Sequence, residues 1–106
     1  MRSYHKYRAI PTTIDNIRFA SKKEARRYAE LKLLVAAKEV KDLELQPRFP
    51  CVIDGQLVTT YVADFRYIDC RTGRVVIEDS KGVRTPEFKI KKKLVKALLG
   101  VDVLES

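Results

Sequence analysis

The chain has 106 residues, 45% of them hydrophobic, with 22 lysines and arginines against 14 aspartates and glutamates and a net charge of +8. That length holds one small domain and no second core, and the apolar residues form no run near the roughly 20 that a membrane span requires. One histidine and two cysteines (His5, Cys51 and Cys70) are too few for a structural zinc site, and a Ser-His-Asp or Cys-His nucleophile would have only His5 to work with.

The charge excess, with an isoelectric point near 9.7, points to a polyanion partner, nucleic acid first; a basic surface kept for solubility is the alternative. The first residues, "MRSYHKYRAIPTT", contain no signal-peptide apolar stretch, so an intracellular, cytoplasmic protein without membrane contact is expected.

Residues 1–18 are polar, basic and turn-rich, and Arg2, Lys6 and Arg8 are interleaved with Tyr4 and Tyr7. They read as an arm able to touch DNA, with residues 19–106 as the domain proper. Ser21 opens a helix, "SKKEARRYAELKLLVAAKEV", with Glu24 at the capping-box position and helix-forming composition through Val40. Glu24 also lies on the stripe of Tyr28, Leu31 and Val35, so it is either a cap residue or an inward acid. Strands follow: "LELQPRFPCVI", an Asp54-Gly55 hairpin signal, "LVTTYVADFRYI", the turn "CRTG", and "RVVIEDS". A second helix runs from about Pro86 to Leu99, and "VDVLE" closes the chain as a short strand. The order α-β-β-β-α-β implies an antiparallel sheet with helices packed on it.

Alternation along a strand puts Asp64, Arg66 and Ile68 on one face, and Val75, Ile77, Asp79 and Lys81 on one face of the next strand. If "CRTG" is a four-residue loop closed by Asp69 opposite Arg74, partners sum to 143 and Asp64 faces Asp79, with Cβ atoms about 5 Å apart. A loop one residue shorter or longer would move the partner by one. Like charges so placed destabilise a sheet. Either both aspartates are solvated and Lys81 pairs with one, or a hard divalent cation sits between them. Their apolar company, Val62, Ile68, Val75 and Ile77, favours a covered face.

On the second helix Lys89, Lys92, Lys93 and Lys96 fall within one sector, opposite Ile90, Leu94, Ala97 and Leu98. That stripe suits a phosphate backbone, or is simply a solvated face; Lys91 lies among the apolar positions.

A glutamate early in a helix, an acid on a second strand and (D/E)-x-K on a third together resemble the PD-(D/E)xK nuclease superfamily, here as Glu24, "ADF" with Asp64, and "DSK" with Asp79 and Lys81. From about Tyr7 to the end, "FASKKEARRYAELKLL", "LELQPRFP", "YVADFRY" and "EDSKGVRTPEFKIKKKLVKAL" look like a family of small phage-encoded proteins of that superfamily, similar to archaeal-type Holliday-junction resolvases. "ADF" lacks the motif's proline, Ser80 stands where an aliphatic residue is more usual, and Glu78 adds a second acid.

The resemblance implies an α/β fold, an α+β mixed sheet with a restriction-endonuclease-like core, in a host cell's cytoplasm. It implies Mg²⁺ or Mn²⁺ held by Glu24, Asp64, Asp79 and the Ser80 carbonyl, with Lys81 beside the phosphate and Gln46 near the water or phosphate. It further implies a DNA endonuclease, most simply a homodimeric resolvase of four-way junctions or other branched duplex. The alternatives are a nicking or flap-type nuclease of the same fold, or a non-catalytic DNA-binding protein.

Overall fold

The architecture is built on one hairpin, β6 (Phe65–Asp69) and β7 (Val75–Asp79). In the computed structural model, which describes residues 10–80 and 84–106, β6 and β7 pair antiparallel with Phe65 opposite Glu78 and Ile68 opposite Val75. Those partners sum to 143, the register expected from a loop closed by Asp69 and Arg74. β3 (Val40–Leu45) adds antiparallel to β6, and β8 (Val103–Glu105) adds to β7 in parallel. The four-stranded sheet, in the order β3-β6-β7-β8, is therefore mixed and not wholly antiparallel.

Both faces carry packed elements. On one lies α1 (Lys22–Ala36), whose Ala25, Tyr28 and Leu31 pack with Phe65, Tyr67 and Val40. On the other lie α2 (Pro86–Leu99) and a two-stranded ribbon of β4 (Arg48–Ile53) and β5 (Gln56–Val62), which bring Phe88, Val95, Cys51 and Tyr61 against Ile77 and Val103. No helix among the described residues is long and apolar enough to cross a membrane.

Each helix ends where local chemistry ends it. Ser21 caps α1 by accepting from the Glu24 amide, and Thr85 caps α2 by accepting from Phe88, with Pro86 in the first turn. Gly100, at φ 68°, closes α2 in the left-handed region. α1 stops at Ala36, short of the expected Val40: Lys38 turns to φ 62° and Val40 is already the buried first residue of β3.

The two long strands expected from "LELQPRFPCVI" and "LVTTYVADFRYI" each break in two. Gln46 takes φ 51° before Pro47, separating β3 from β4, and Ala63 and Asp64 separate β5 from β6. The ribbon thereby leaves the main sheet, and the order becomes ββαβββββαβ in place of α-β-β-β-α-β. Asp54 and Gly55 form its tip, both at positive φ, as the hairpin signal implied.

Part of the expected arm is structured. β1 (Thr12–Ile14) and β2 (Ile17–Phe19) form a hairpin about Asp15 and Asn16, both left-handed as a type I′ turn requires. It is tied to α1 by the Tyr28 hydroxyl, which donates to Asp15 at 2.8 Å, and by the Phe19 and Tyr28 rings, 4.9 Å apart. Arg2, Lys6, Arg8 and His5 lie outside the described residues.

α2 is rotated from the orientation its apolar residues suggested. Phe88 and Val95 are buried, whereas Ile90 is 59% exposed and Ala97 and Leu98 also face outward. The Phe88 ring, packed near Tyr61 at 6.3 Å, decides the rotation, and the half-buried stems of Lys91 and Lys92 complete the buried side. Val35, expected inward on α1, is exposed, as are Val62 and Val75 on the Asp64 face. That face is covered only at its Asp79 end.

Tyr28→Phe should cost about 1 kcal/mol in urea unfolding, the worth of one hydrogen bond, and should raise amide exchange across residues 12–19 more than across β6 and β7. Unchanged exchange in the hairpin would show that Asp15 does not anchor it.

Candidate active site

At the end of the β6–β7 hairpin remote from its turn, the chain brings Asp64 and Asp79 together. Asp64 lies one residue before β6, its amide donating to the Glu78 carbonyl at 3.1 Å, so it continues the ladder to face Asp79. Its carboxylate accepts the Ser80 amide at 2.7 Å. Asp79 is fully buried and accepts a hydrogen bond from the Tyr61 hydroxyl on β5.

The electrostatics register this crowding. Burial pushes the Asp64 carboxyl up to about 7, with the charge of Asp79 next and that of Glu24 also raising it; the Ser80 amide works in the opposite direction. Glu24 is 6% exposed and turned inward with Ala25, Tyr28 and Leu31. Its backbone takes the Ser21 cap, 3.1 Å from amide to hydroxyl, while its carboxylate is near enough to act on Asp64. Burial also drives the Tyr61 phenol up, with Asp79 as its acceptor, so Tyr61 remains a donor at any ordinary pH.

Glu78, next along β7, faces the other way and has a different environment. It is completely buried, and Arg27 of α1 grips it with Nε at 2.6 Å and a second nitrogen at 3.1 Å. The Tyr67 hydroxyl donates to it at 2.7 Å. Burial alone would raise its carboxyl, yet these donors hold it below its ordinary value. Glu78 is thus committed to joining α1 to the sheet.

A third acid stands in the same row. In the parallel pairing Glu105 is the register partner of Asp79, so Asp64, Asp79 and Glu105 follow one another across β6, β7 and β8. Lys92 and Arg84 hold Glu105 at 2.6 and 2.9 Å and keep its carboxyl below its ordinary value. Below it the strand end is tied off by the Ser106 amide, which donates to the Asp79 carbonyl, and by a 2.8 Å hydrogen bond between the Ser80 and Ser106 hydroxyls.

The donor set of Asp64, Asp79, Glu24 and the Ser80 carbonyl consists of hard oxygens with a surplus of buried negative charge. In that respect it fits a divalent cation such as Mg²⁺ or Mn²⁺. Among the described residues, however, no three acidic, histidine or cysteine side chains converge as a ready-made cation site. What is formed is the aspartate pair, with Glu24 acting on it from α1.

Gln46 is exposed at the β3–β4 break, its amide donating to the Asp64 carbonyl at 2.9 Å. It is beside the pair through its backbone. Lys81 lies outside the described residues. The α2 lysines border an open groove of about 450 Å³ between α2 and the β8 end, with Arg84 at its rim. Two of them are ion-paired, Lys92 with Glu105 and Lys96 with Asp102 at 2.8 Å.

Of the residues missed in sequence reading, Tyr61, Arg27 and Tyr67 hold the acids, and Glu105 is a further acid of the row. Only Arg27 left a trace: it lies three residues after Glu24, on the neighbouring edge of the same buried helix face.

A family model described as a protein of unknown function, DUF1064, matches residues 4–100, and the chain belongs to that family. No curated protein and no solved structure matches it.

Two outcomes test the site's electrostatics. Asp64 carries its proton to about pH 7 in the folded chain, against an ordinary value of 3.8. The folded state therefore binds the extra proton between those values, and stability should fall as pH rises through about 7. In EDTA, thermal unfolding across that window should fall less for Asp64→Asn than for wild type; equal slopes would refute the buried coupling. Arg27→Met should destabilise by about 3 kcal/mol by stranding the Glu78 carboxylate. Adding Glu78→Gln should recover most of that loss in urea unfolding, and no recovery would assign the cost to packing alone.

Proposed function

We propose that this DUF1064 chain is a metal-dependent DNA endonuclease with a PD-(D/E)xK core, and that it acts on branched DNA as a resolvase of four-way junctions. The observation that carries the reading is the pairing of half-buried Asp64 with fully buried Asp79 at two adjoining strand ends, an arrangement that costs stability and that a purely structural sheet has no use for. The mixed sheet, with β8 parallel to β7 and helices on both faces, supports it.

Asp64, Asp79, Glu24 and the Ser80 carbonyl would hold the cation, which when bound polarises the scissile phosphate and lowers the pKa of an attacking water. The chain's own groups prepare that site. The Ser80 amide orients Asp64. Tyr61 fixes Asp79 from the ribbon side. Arg27 and Tyr67 hold Glu78 on the opposite face, so that it does not compete as a ligand. Lys81, two residues beyond Asp79, would stabilise charge on the pentacovalent phosphate, and Gln46 would approach it from the β3–β4 break.

Phosphate contacts position a backbone without reading its sequence. The groove bordered by Lys89, Lys92, Lys93 and Lys96 supplies such contacts, as would Arg2, Lys6 and Arg8 of the N-terminal segment. Symmetric cutting of a junction requires two sites, hence a homodimer.

Purified protein incubated with a labelled four-way junction and a matched linear duplex, in Mg²⁺, Mn²⁺ or EDTA and beside Asp79→Asn, tests the reading. Paired symmetric nicks confined to the junction, lost in EDTA and in Asp79→Asn, are expected. Cleavage of both substrates would make it a nuclease with another target. Binding with no cleavage in any metal would leave a DNA-binding protein and end the enzyme reading.

A further inference from the structure

A second basic cleft lies on the other face of the β8 edge. It encloses about 240 Å³ beneath the first half of α1 and is lined by Lys23, Arg26, Arg27, Glu30, Ser80 and Ser106. Arg27 is committed to Glu78 as well as to Glu30, so the cleft's further cations are Lys23 and Arg26. Glu30 is already engaged by Arg27 at 3.0 Å, and the floor is the hydrogen-bonded hydroxyl pair of Ser80 and Ser106. Cationic walls over a hydroxyl floor match the acceptor oxygens of a phosphate diester.

Its position gives it meaning. Ser80 belongs to both places: its amide donates to Asp64, and its residue lines the cleft. The cleft therefore begins one residue beyond Asp79, around the end of β7. The α2 groove, with Arg84, Lys89 and Lys93, opens beside Val103 of β8, on the face that α2 covers. Cations therefore flank the β8 edge on both sides, while the acids occupy the strand ends between them.

We infer that the α1 cleft is a second phosphate-binding surface for DNA, with Lys23 and Arg26 as its contacts, so that DNA is held from both faces of the β8 edge. The inference rests on the DNA-binding part of the proposed function and not on hydrolysis.

Fluorescence anisotropy of a short labelled duplex, titrated in EDTA over a range of salt concentrations, tests it without any cleavage. Wild type is compared with Lys23→Gln/Arg26→Gln, with Lys89→Gln/Lys93→Gln, and with all four changes together. Each double variant should bind several-fold more weakly, and the dependence of log affinity on log salt should flatten by about 0.9 per lost contact. The four changes together should add. Circular dichroism melts keep the comparison among folded chains; should Lys23→Gln/Arg26→Gln melt early, the single change Arg26→Gln should still flatten the slope by about 0.9 while Arg26→Lys keeps it, and a wild-type slope in folded Arg26→Gln would overturn the cleft. Wild-type affinity and slope in folded Lys23→Gln/Arg26→Gln, with the α2 pair still weakened, would overturn this cleft alone. Failure of wild type to bind the duplex even at low salt would overturn it together with the DNA reading.

Discussion

The hydrogen bond from the Asp69 amide to the Arg74 carbonyl, 2.9 Å long, sets the register on which the site depends. Gly73 makes that closure possible, turning at φ 75° while its amide donates to Asp69 at 2.7 Å. With the turn fixed, strand geometry leaves no freedom at the far end: Asp64 must face Asp79. A slip of one residue would exchange faces along a whole strand. Glu78 would then enter the acid row, and Asp79 would be pressed against Phe65, Tyr67 and Arg27. The alternation of buried Phe65 and Tyr67 with exposed Arg66 opposes such a slip as firmly as the turn does.

Two adjacent acids on β7 show how burial alone fails to define a role. Glu78 and Asp79 are equally inaccessible. Glu78 faces α1, where a guanidinium and a phenol supply enough donors to keep it ionised. Asp79 faces a second carboxylate and one phenol, and the resulting strain appears as a raised Asp64. The difference lies in what each side of the sheet is packed against, Arg27 on one and Tyr61 on the other. Neither residue adjoins β7 in sequence, so composition near the motif could not distinguish the two acids; parity alone favoured Asp79.

Much of the frame was legible because it is set locally. Ser21 and Thr85 start the helices, Gly100 ends the second, and Asp54-Gly55 and the "CRTG" loop turn the chain where the pattern said they would. The features that escaped depend on distant partners or on a weaker local signal. Asp15-Asn16 is a hairpin turn without glycine, and its strands are short enough to pass for an arm. The break at Gln46 lies inside an apolar-polar alternation that continues across it. The rotation of α2 follows from Phe88 meeting Tyr61, and the parallel direction of β8 follows from α2 carrying the chain back over β7. Of the proposed ligands, spacing could place Asp64 and Asp79. Glu24's double position, backbone in a cap and carboxylate inward, needed the fold.

The parallel strand then has a consequence for charge. By setting Glu105 in register with Asp79, β8 extends a row of like charges that a sheet would ordinarily not tolerate. Its tolerance comes from α2: the same crossover that makes β8 parallel delivers Lys92 and Arg84 to Glu105. The row is thereby neutralised from the β8 side and left negative on the β6 side, where Asp64 and Asp79 adjoin and Glu24 points in. An asymmetric row of this kind keeps its uncompensated negative charge at one end only. Basic groups on both faces of the β8 edge lie beside the neutralised end, so positive and negative potential are separated along the row.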